Sequence, residues 1–368
     1  MVADHQDCQH QAGLRVANER GEIDMAAAPS RTEAAATLRQ ISFGMRASQA
    51  LYVAAKLNLA DHLAHKPMRV GELATLTQSD PQALSRLLRA LCALGVFTQS
   101  LSGEISLNPT AELLRSDVPG SFRGAVLMSA GQVRWRCWAD LLHVIQSGEG
   151  GTERVLGMGL FDFYGEHPEE SLIHDQAMRS ISAAQVSAVL KAFDFSSAGR
   201  IVDVGGGTGE LLSAILSANR SLDGTLFDLP HVVENARSVL GEADVLERVH
   251  VVGGNFLEGA LPAGDTLLLK TIVHDWDDAR AEVILRNCRK AVSSTGRLLM
   301  IERELPKVGQ HGAAIEPFLL DLEMLVMSPG GRERTRQEFA SLLSAAQFEL
   351  MKVVPTEAPV SIFEARPA

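Results

Sequence analysis

The chain has 368 residues, 46% hydrophobic and 21% charged, with a formal net charge of −11. That is globular composition with room for two domains, and so acidic a balance argues against nucleic acid or an anionic membrane as partner. Cys8, Cys92, Cys137 and Cys288 are scattered without a C-x-x-C pair, no basic-then-apolar leader opens the chain, and no apolar run nears the roughly 20 residues that span a bilayer, so a reducing, cytoplasmic setting is expected.

Residues 1–30 are polar or low in complexity and are expected to be disordered or loosely attached. Residues 31–120 read as a mostly helical module. Within it, Asp80 suits an N-cap and Pro81 the first helical position. Leu84, Leu87, Leu88, Leu91 and Cys92 follow at helical spacing, and Gly95 ends the run. Residues 96–98 and 105–107 flank a turn at Ser102-Gly103, so helices followed by a small hairpin give a winged-helix arrangement. Such a module invites a DNA-binding reading. Its candidate recognition helix, however, carries little that is basic beyond Arg86 and Arg89, and DNA demands a concentrated positive footprint. Packing and dimerisation fit better, with the Ala- and Leu-rich residues 45–63 as apolar surface between subunits.

Residues 121–190 read as a helical linker carrying Trp135, Trp138, Phe161, Phe163, Tyr164 and Met178. Such side chains at helical spacing can form a core or line a flat apolar cavity, and both readings stay open.

Residues 191–368 alternate strand and helix, the pattern of an α/β fold with a parallel sheet. Strands are predicted at 200–204, 225–228, 249–253, 265–270 and 297–302. The first runs into Asp203-Val204-Gly205-Gly206-Gly207-Thr208-Gly209 and then an apolar helix. Gly205 and Gly207 fit the first two positions of a dinucleotide G-x-G-x-x-G, but the third falls on Glu210. No Lys-Ser or Lys-Thr follows, which removes the phosphate-cradling alternative. Asp228 ends the second strand 23 residues past Gly205. A carboxylate there can accept both ribose hydroxyls of a nucleoside, or it can cap the helix after Pro230. A ligand with ribose, adenine and an amino-acid tail but no phosphate is S-adenosylmethionine.

Ligands of open α/β sheets bind beyond the carboxyl ends of the strands. His274 lies past the fourth strand, Glu302 ends the fifth, and Glu333 sits in the loop at 329–335. Imidazole is the side chain suited to act as base near neutrality, and a carboxylate on its second nitrogen fixes the tautomer. A structural histidine is the alternative. Asp277 and Asp278 read as caps of the next helix, Arg332 and Arg334 as solvated or salt-bridged, and no carboxylate cluster suggests a metal.

Together, Asp203-Val204-Gly205-Gly206-Gly207-Thr208-Gly209, Phe227-Asp228-Leu229-Pro230-His231, His274-Asp275-Trp276 and Gly330-Gly331-Arg332-Glu333-Arg334-Thr335 resemble the S-adenosylmethionine-dependent O-methyltransferases of the caffeate and hydroxyneurosporene type. The likeness covers roughly residues 35 to 365. It implies a class I methyltransferase Rossmann-like sheet with an N-terminal, mostly helical winged-helix dimerisation domain, a homodimer, and a small aromatic acceptor. His274 would be the base, with Glu302 and Glu333 flanking it. Gly205, Gly207, Asp228, Asn255, Phe256 and Lys270 would hold the cofactor. Asn255 stands where the family often has Asp, and its amide oxygen could accept from the adenine amino group. Met178 and Met324 would line the acceptor pocket, with Trp135 and Phe163 as further candidates. Transfer of a methyl to a phenolic or polycyclic hydroxyl is the expected reaction. N-methylation of a heteroaromatic, hydroxylation or decarboxylation on the same fold are the alternatives, and a nicotinamide oxidoreductase or a winged-helix regulator are the more distant ones.

Overall fold

The computed structural model describes residues 30–307, 314–328 and 330–368; the expectation for residues 1–30 falls almost wholly outside them. The first helix, Arg31–Lys56, opens on a capping box. Glu33 N–H donates to Ser30 Oγ at 3.2 Å, and Ser30 N–H donates back to the Glu33 carboxylate at 2.7 Å. The helix Pro81–Ala93 starts where the Asp80-Pro81 pair predicts. Ala83 N–H donates to Asp80 at 2.8 Å, and Leu84, Leu88 and Leu91 are buried. A three-stranded antiparallel sheet completes the module, with β1 (Met68–Arg69), β2 (Thr98–Gln99) and β3 (Glu104–Ser106) in the order β1-β3-β2. The hairpin β2–β3 lies within two residues of its expected place. Two-residue β1 was not expected, because so short a strand shows no alternation.

The exposed apolar surface of the first helix overlaps the expected segment only in part. Ala54, Ala55, Leu59, Ala60 and Leu63 pack into the module's own core. Exposed apolar side chains on the first helix begin before it, at Leu38, Ile41 and Phe43, and continue into it at Met45 and Val53. Helices of the same chain cover most of the last turns of that helix and leave its first half bare.

Residues 123–192 form six helices, ending in the long Pro168–Ala192. Beyond them lies a seven-stranded sheet. Its strands are β4 (Ile201–Val204), β5 (Gly224–Asp228), β6 (Val249–Gly253), β7 (Gly264–Lys270), β8 (Val292–Glu302), β9 (Phe348–Pro355) and β10 (Ser361–Pro367), in the order β6-β5-β4-β7-β8-β10-β9. Strands β4 to β8 pair with one another in parallel, and β10 runs antiparallel to both β8 and β9. Burial follows the pleat. Leu267, Leu269, Leu298 and Met300 enter one core layer; Leu268, Leu299 and Ile301 enter the other. Near-continuous apolar strands are what a sheet covered on both faces requires. The order places the strand reversal beside β4, so the turns after β4, β5, β7 and β8 converge on one edge. Among the described residues no helix is long and apolar enough to cross a membrane.

Candidate active site

The turn after β4 is shaped by what its glycines lack. Gly205 has φ +68°, and a Cβ there would lie 2.6 Å from Ile272 and 3.4 Å from Phe256. Gly207 has φ +59° and would project a Cβ into open space, so its bare backbone faces a region a ligand can reach. Gly207 N–H donates to Asp228 Oδ2 at 2.8 Å, and Leu229 N–H donates to Oδ1 at 2.7 Å. The helix Pro230–Val233 has Leu229 at its N-cap and no side-chain cap. Asp228 is therefore a brace of the glycine turn and not a helix cap.

Beneath the turn, Asp203 is buried and its Oδ2 has no hydrogen-bond partner among the described residues. Burial pushes its carboxyl up to about 7, with Lys270 pulling the other way; burial likewise pushes Lys270 below the usual lysine range. Phe256 sets its ring edge-on to Trp276 at 5.9 Å, forming an apolar wall over Gly205. Asn255 Oδ1 accepts from Leu257 N–H at 3.0 Å. That bond takes one of the oxygen's two lone pairs and leaves the other, with the amide NH2, for a ligand. An uncovered Gly207, a strand-end carboxylate, an apolar wall and a buried unpaired carboxylate oxygen fit a nucleoside with a cationic tail.

His274 lies in a 3-10 turn, Val273–Asp275, just past β7. Its Nδ1 is 2.8 Å from Glu302 Oε2, and Glu302 is fully buried at the end of β8. Glu302 Oε1 accepts from Ile272 N–H at 3.0 Å and Val273 N–H at 2.7 Å. With Oε1 filled by these two N–H groups, Oε2 is the oxygen left to accept from the ring; Nδ1 then carries the proton and Nε2 is the basic nitrogen. Asp275 Oδ1 is 3.5 Å from Nε2. Burial works to lower the His274 pKa, but the Glu302 and Asp275 carboxylates outweigh it and hold it at about 9 against an ordinary 6.5.

Glu333, the second expected flanking carboxylate, acts on the imidazole through its charge and makes no hydrogen bond to it. It is buried, its Oε1 pairs with Arg303 at 3.4 Å, and its backbone N–H donates to Asp321 at 2.9 Å. Its Oε2 has no partner among the described residues, and burial raises its pKa. Its influence on His274 is electrostatic.

Arg334 carries a part that its sequence did not reveal. It is fully buried and donates to Val273 O at 2.9 Å, Trp276 O at 2.8 Å and Asp278 at 2.7 Å. It therefore clamps both ends of the turn that presents His274. Asp278, expected as a helix cap, is the carboxylate partner of that clamp; Asp277 alone caps, accepting from Arg280 N–H at 2.8 Å. Arg332 N–H donates to His274 O at 2.8 Å, and a Cβ on Gly331 would stand 3.1 Å from the same oxygen. The salt bridge expected as one alternative for Arg332 and Arg334 is present, to Asp278 for both; the burial of Arg334 beneath the turn left no signal beyond the close spacing of Gly330-Gly331-Arg332-Glu333-Arg334.

The acceptor candidates separate. Met178, on the helix Pro168–Ala192, is 38% exposed, and Trp135 and Met324 are half-buried. Phe163 is a core residue. It joins Val133, Cys137, Tyr164 and Val326, stacked on His167 at 3.7 Å. Among the described residues no group of three or more His, Cys, Asp or Glu is disposed to hold a metal.

Comparison with known proteins agrees with this layout. An O-methyltransferase domain profile matches residues 138–349, and an O-methyltransferase dimerisation domain profile matches residues 39–117. The chain is 42% identical to a phenazine O-methyltransferase of Lysobacter antibioticus over 90% of its own length and 95% of that protein. It superposes on a mitomycin 7-O-methyltransferase with a TM-score of 0.84 at 32% identity, covering 92% of this chain and 99% of the other. A methyltransferase of calicheamicin biosynthesis, solved in its SAH-bound form, gives 0.83 at 32% identity, covering 93% and 100%. The chain belongs to the S-adenosylmethionine-dependent O-methyltransferases, a class I methyltransferase fold joined to an N-terminal dimerisation domain.

Proposed function

We propose that this enzyme methylates a hydroxyl on a small, planar aromatic or polycyclic molecule, with His274 Nε2 as general base, and that it works as a homodimer joined through the N-terminal domain. The observation that carries the reading is the bond from His274 Nδ1 to Glu302. It leaves Nε2 as the ring nitrogen that can accept a proton. Phenazine and mitomycin appear in the names of two similar enzymes, and both are fused-ring systems.

Gly205, Gly207 and Asp228 would hold the ribose and tail of S-adenosylmethionine, Asn255 and Phe256 the adenine, with Asp203 and Lys270 beneath the turn. When bound, that cofactor supplies an electrophilic methyl group on a sulfonium. The chain's own residues then position the acceptor, exclude water and take a proton. His274 accepts the hydroxyl proton at Nε2. Glu302 stabilises the imidazolium that forms and keeps the ring from turning. Arg334 and Gly331 fix the backbone of the turn, so the imidazole is in place before the acceptor enters. Proton removal by a positioned base contributes roughly 10²–10⁴-fold.

The test is labelled S-adenosylmethionine with a panel of phenols and hydroxylated polycycles. Turnover by wild type should fall by about 10²–10⁴-fold in His274→Ala with cofactor affinity retained. Unchanged turnover in that variant would remove His274 from the chemistry.

A further inference from the structure

A second polar cluster lies away from His274, in the helices between the two domains. Arg134 is 8% exposed, an unusual burial for a guanidinium. It pairs with Glu323, and its Nη2 donates to the Met128 sulfur at 3.3 Å. Trp138 Nε1 donates to the second oxygen of Glu323. Arg134 Nε is buried and has no hydrogen-bond partner among the described residues. The same holds for His174 Nδ1, whose ring stacks on Tyr164 at 4.7 Å and meets Phe161 edge-on at 6.3 Å. Buried polar atoms are nearly always paired in folded proteins, so two unpaired ones in one cluster ask for a partner from outside the chain.

Their position says which partner. His174 stands one helical turn before Met178 on the helix Pro168–Ala192, and side chains four apart share a face. Glu323 directly precedes Met324 on the helix Glu316–Met327. The cluster therefore shares a helix face with Met178, one of the methionines assigned to the acceptor under the proposed function, and the inference rests on that assignment. We propose that Arg134 Nε and His174 Nδ1 anchor the acceptor at the end remote from its reacting hydroxyl, and that they select a neutral hydrogen-bond-accepting atom there: a ring carbonyl or a ring nitrogen.

Charge decides between neutral and ionic groups. The Arg134 charge is balanced by Glu323, so an added carboxylate would be buried without a counter-charge of its own. Burial, helped by Arg134, holds the His174 pKa down to about 4, so the imidazole is neutral at physiological pH, and its Nδ1–H tautomer is the one that meets an accepting atom without a charge. Two neutralised donors on a stacked aromatic floor suit a flat ring system with an outward carbonyl or aza nitrogen.

The test is calorimetric binding to the full chain loaded with S-adenosylhomocysteine. The probes are 2-hydroxyanthraquinone, 2-hydroxyanthracene and a 2-hydroxyanthracene carboxylate, which share a frame and differ at the distal group. Wild type should bind the quinone about tenfold tighter than the hydrocarbon, the scale of a buried donor left unmet. That preference should shrink to about threefold or less in His174→Phe. It should shrink likewise in the paired Arg134→Met, Glu323→Leu variant, which removes both buried charges at similar volume. Unaltered S-adenosylhomocysteine affinity shows that both variants fold. Equal binding of quinone and hydrocarbon, tightest binding of the carboxylate, binding of none of the three, or an undiminished preference in both variants would overturn the proposal. Methyl transfer that depends on His274 is read separately, so the base assignment can stand when this anchor falls.

Discussion

Replacing Glu302 by Gln should move the pH dependence of catalysis and lower its ceiling at the same time. The rise of the His274 pKa from 6.5 to about 9 corresponds to about 3 kcal/mol in favour of the imidazolium, at 1.36 kcal/mol per pH unit. A base with that pKa is only about one part in a hundred deprotonated at pH 7, so wild-type kcat/KM should climb nearly tenfold per pH unit until about pH 9. Glutamine keeps an oxygen for the Ile272 and Val273 N–H groups but removes the charge. The limb should then fall by about one to two pH units, since the nearest carboxylate is gone while Asp275 and Glu333 remain. The Gln NH2 would also face Nδ1, forcing the proton to Nε2, and the plateau should drop about 10²–10⁴-fold. The assay is initial-rate methyl transfer across the pH range with two phenols of different acidity; a limb that belongs to the enzyme is common to both. A limb that stays where wild type has it, or that follows each phenol, would refute the assignment of this titration to His274.

The same raised pKa gives a stability prediction with a definite sign. A group protonated more readily folded than unfolded stabilises fully below its unfolded value and loses that contribution as pH rises through the folded one. Wild type should therefore lose up to about 3 kcal/mol between about pH 6.5 and 9, and His274→Ala should lack that slope in denaturant titrations. Asp228→Ala should weaken S-adenosylmethionine binding by about tenfold or more, as it removes the expected ribose acceptor and the brace on Gly207 together; calorimetry that finds an unaltered Kd would exclude both roles. Gly205→Ala should cost about 1–2 kcal/mol from its left-handed backbone, plus displacement of Ile272, and lower both Tm and cofactor affinity. Arg334→Met should destabilise by about 2–5 kcal/mol, leaving the Val273 and Trp276 carbonyls unpaired, and should reduce kcat more than cofactor affinity.

The parts of the fold that alternate or repeat were legible in sequence. Leu267, Leu268 and Leu269 announce a strand buried on both faces, and Asp80-Pro81 announces a helix start. The placement of His274, Glu302 and Asp228 at or just past strand ends was legible, and strand ends in a parallel sheet concentrate ligand contacts. What was not legible depends on contacts between distant segments. Arg334 is buried only because the loop at 330–335 folds under the His274 turn, 61 residues away along the chain for its bond to Val273. Glu333 looked like a partner of His274, but Arg303, 30 residues earlier, takes one of its oxygens. Phe163 and Met178 are alike in spacing and opposite in burial, a difference set by which neighbouring helix covers each. The exposed stripe begins before the expected segment, at Leu38, Ile41 and Phe43, because helical composition does not say where the chain's own helices stop covering it.

The bond from Gly207 to Asp228 has a kinetic consequence. A loop already tethered by its own protein loses little freedom when a nucleoside arrives, so capture should be fast, with little ordering entropy to surrender. The rate of encounter would then be limited by passage to the mouth of the site, and residence time by how well the sugar oxygens share that one carboxylate with the tether.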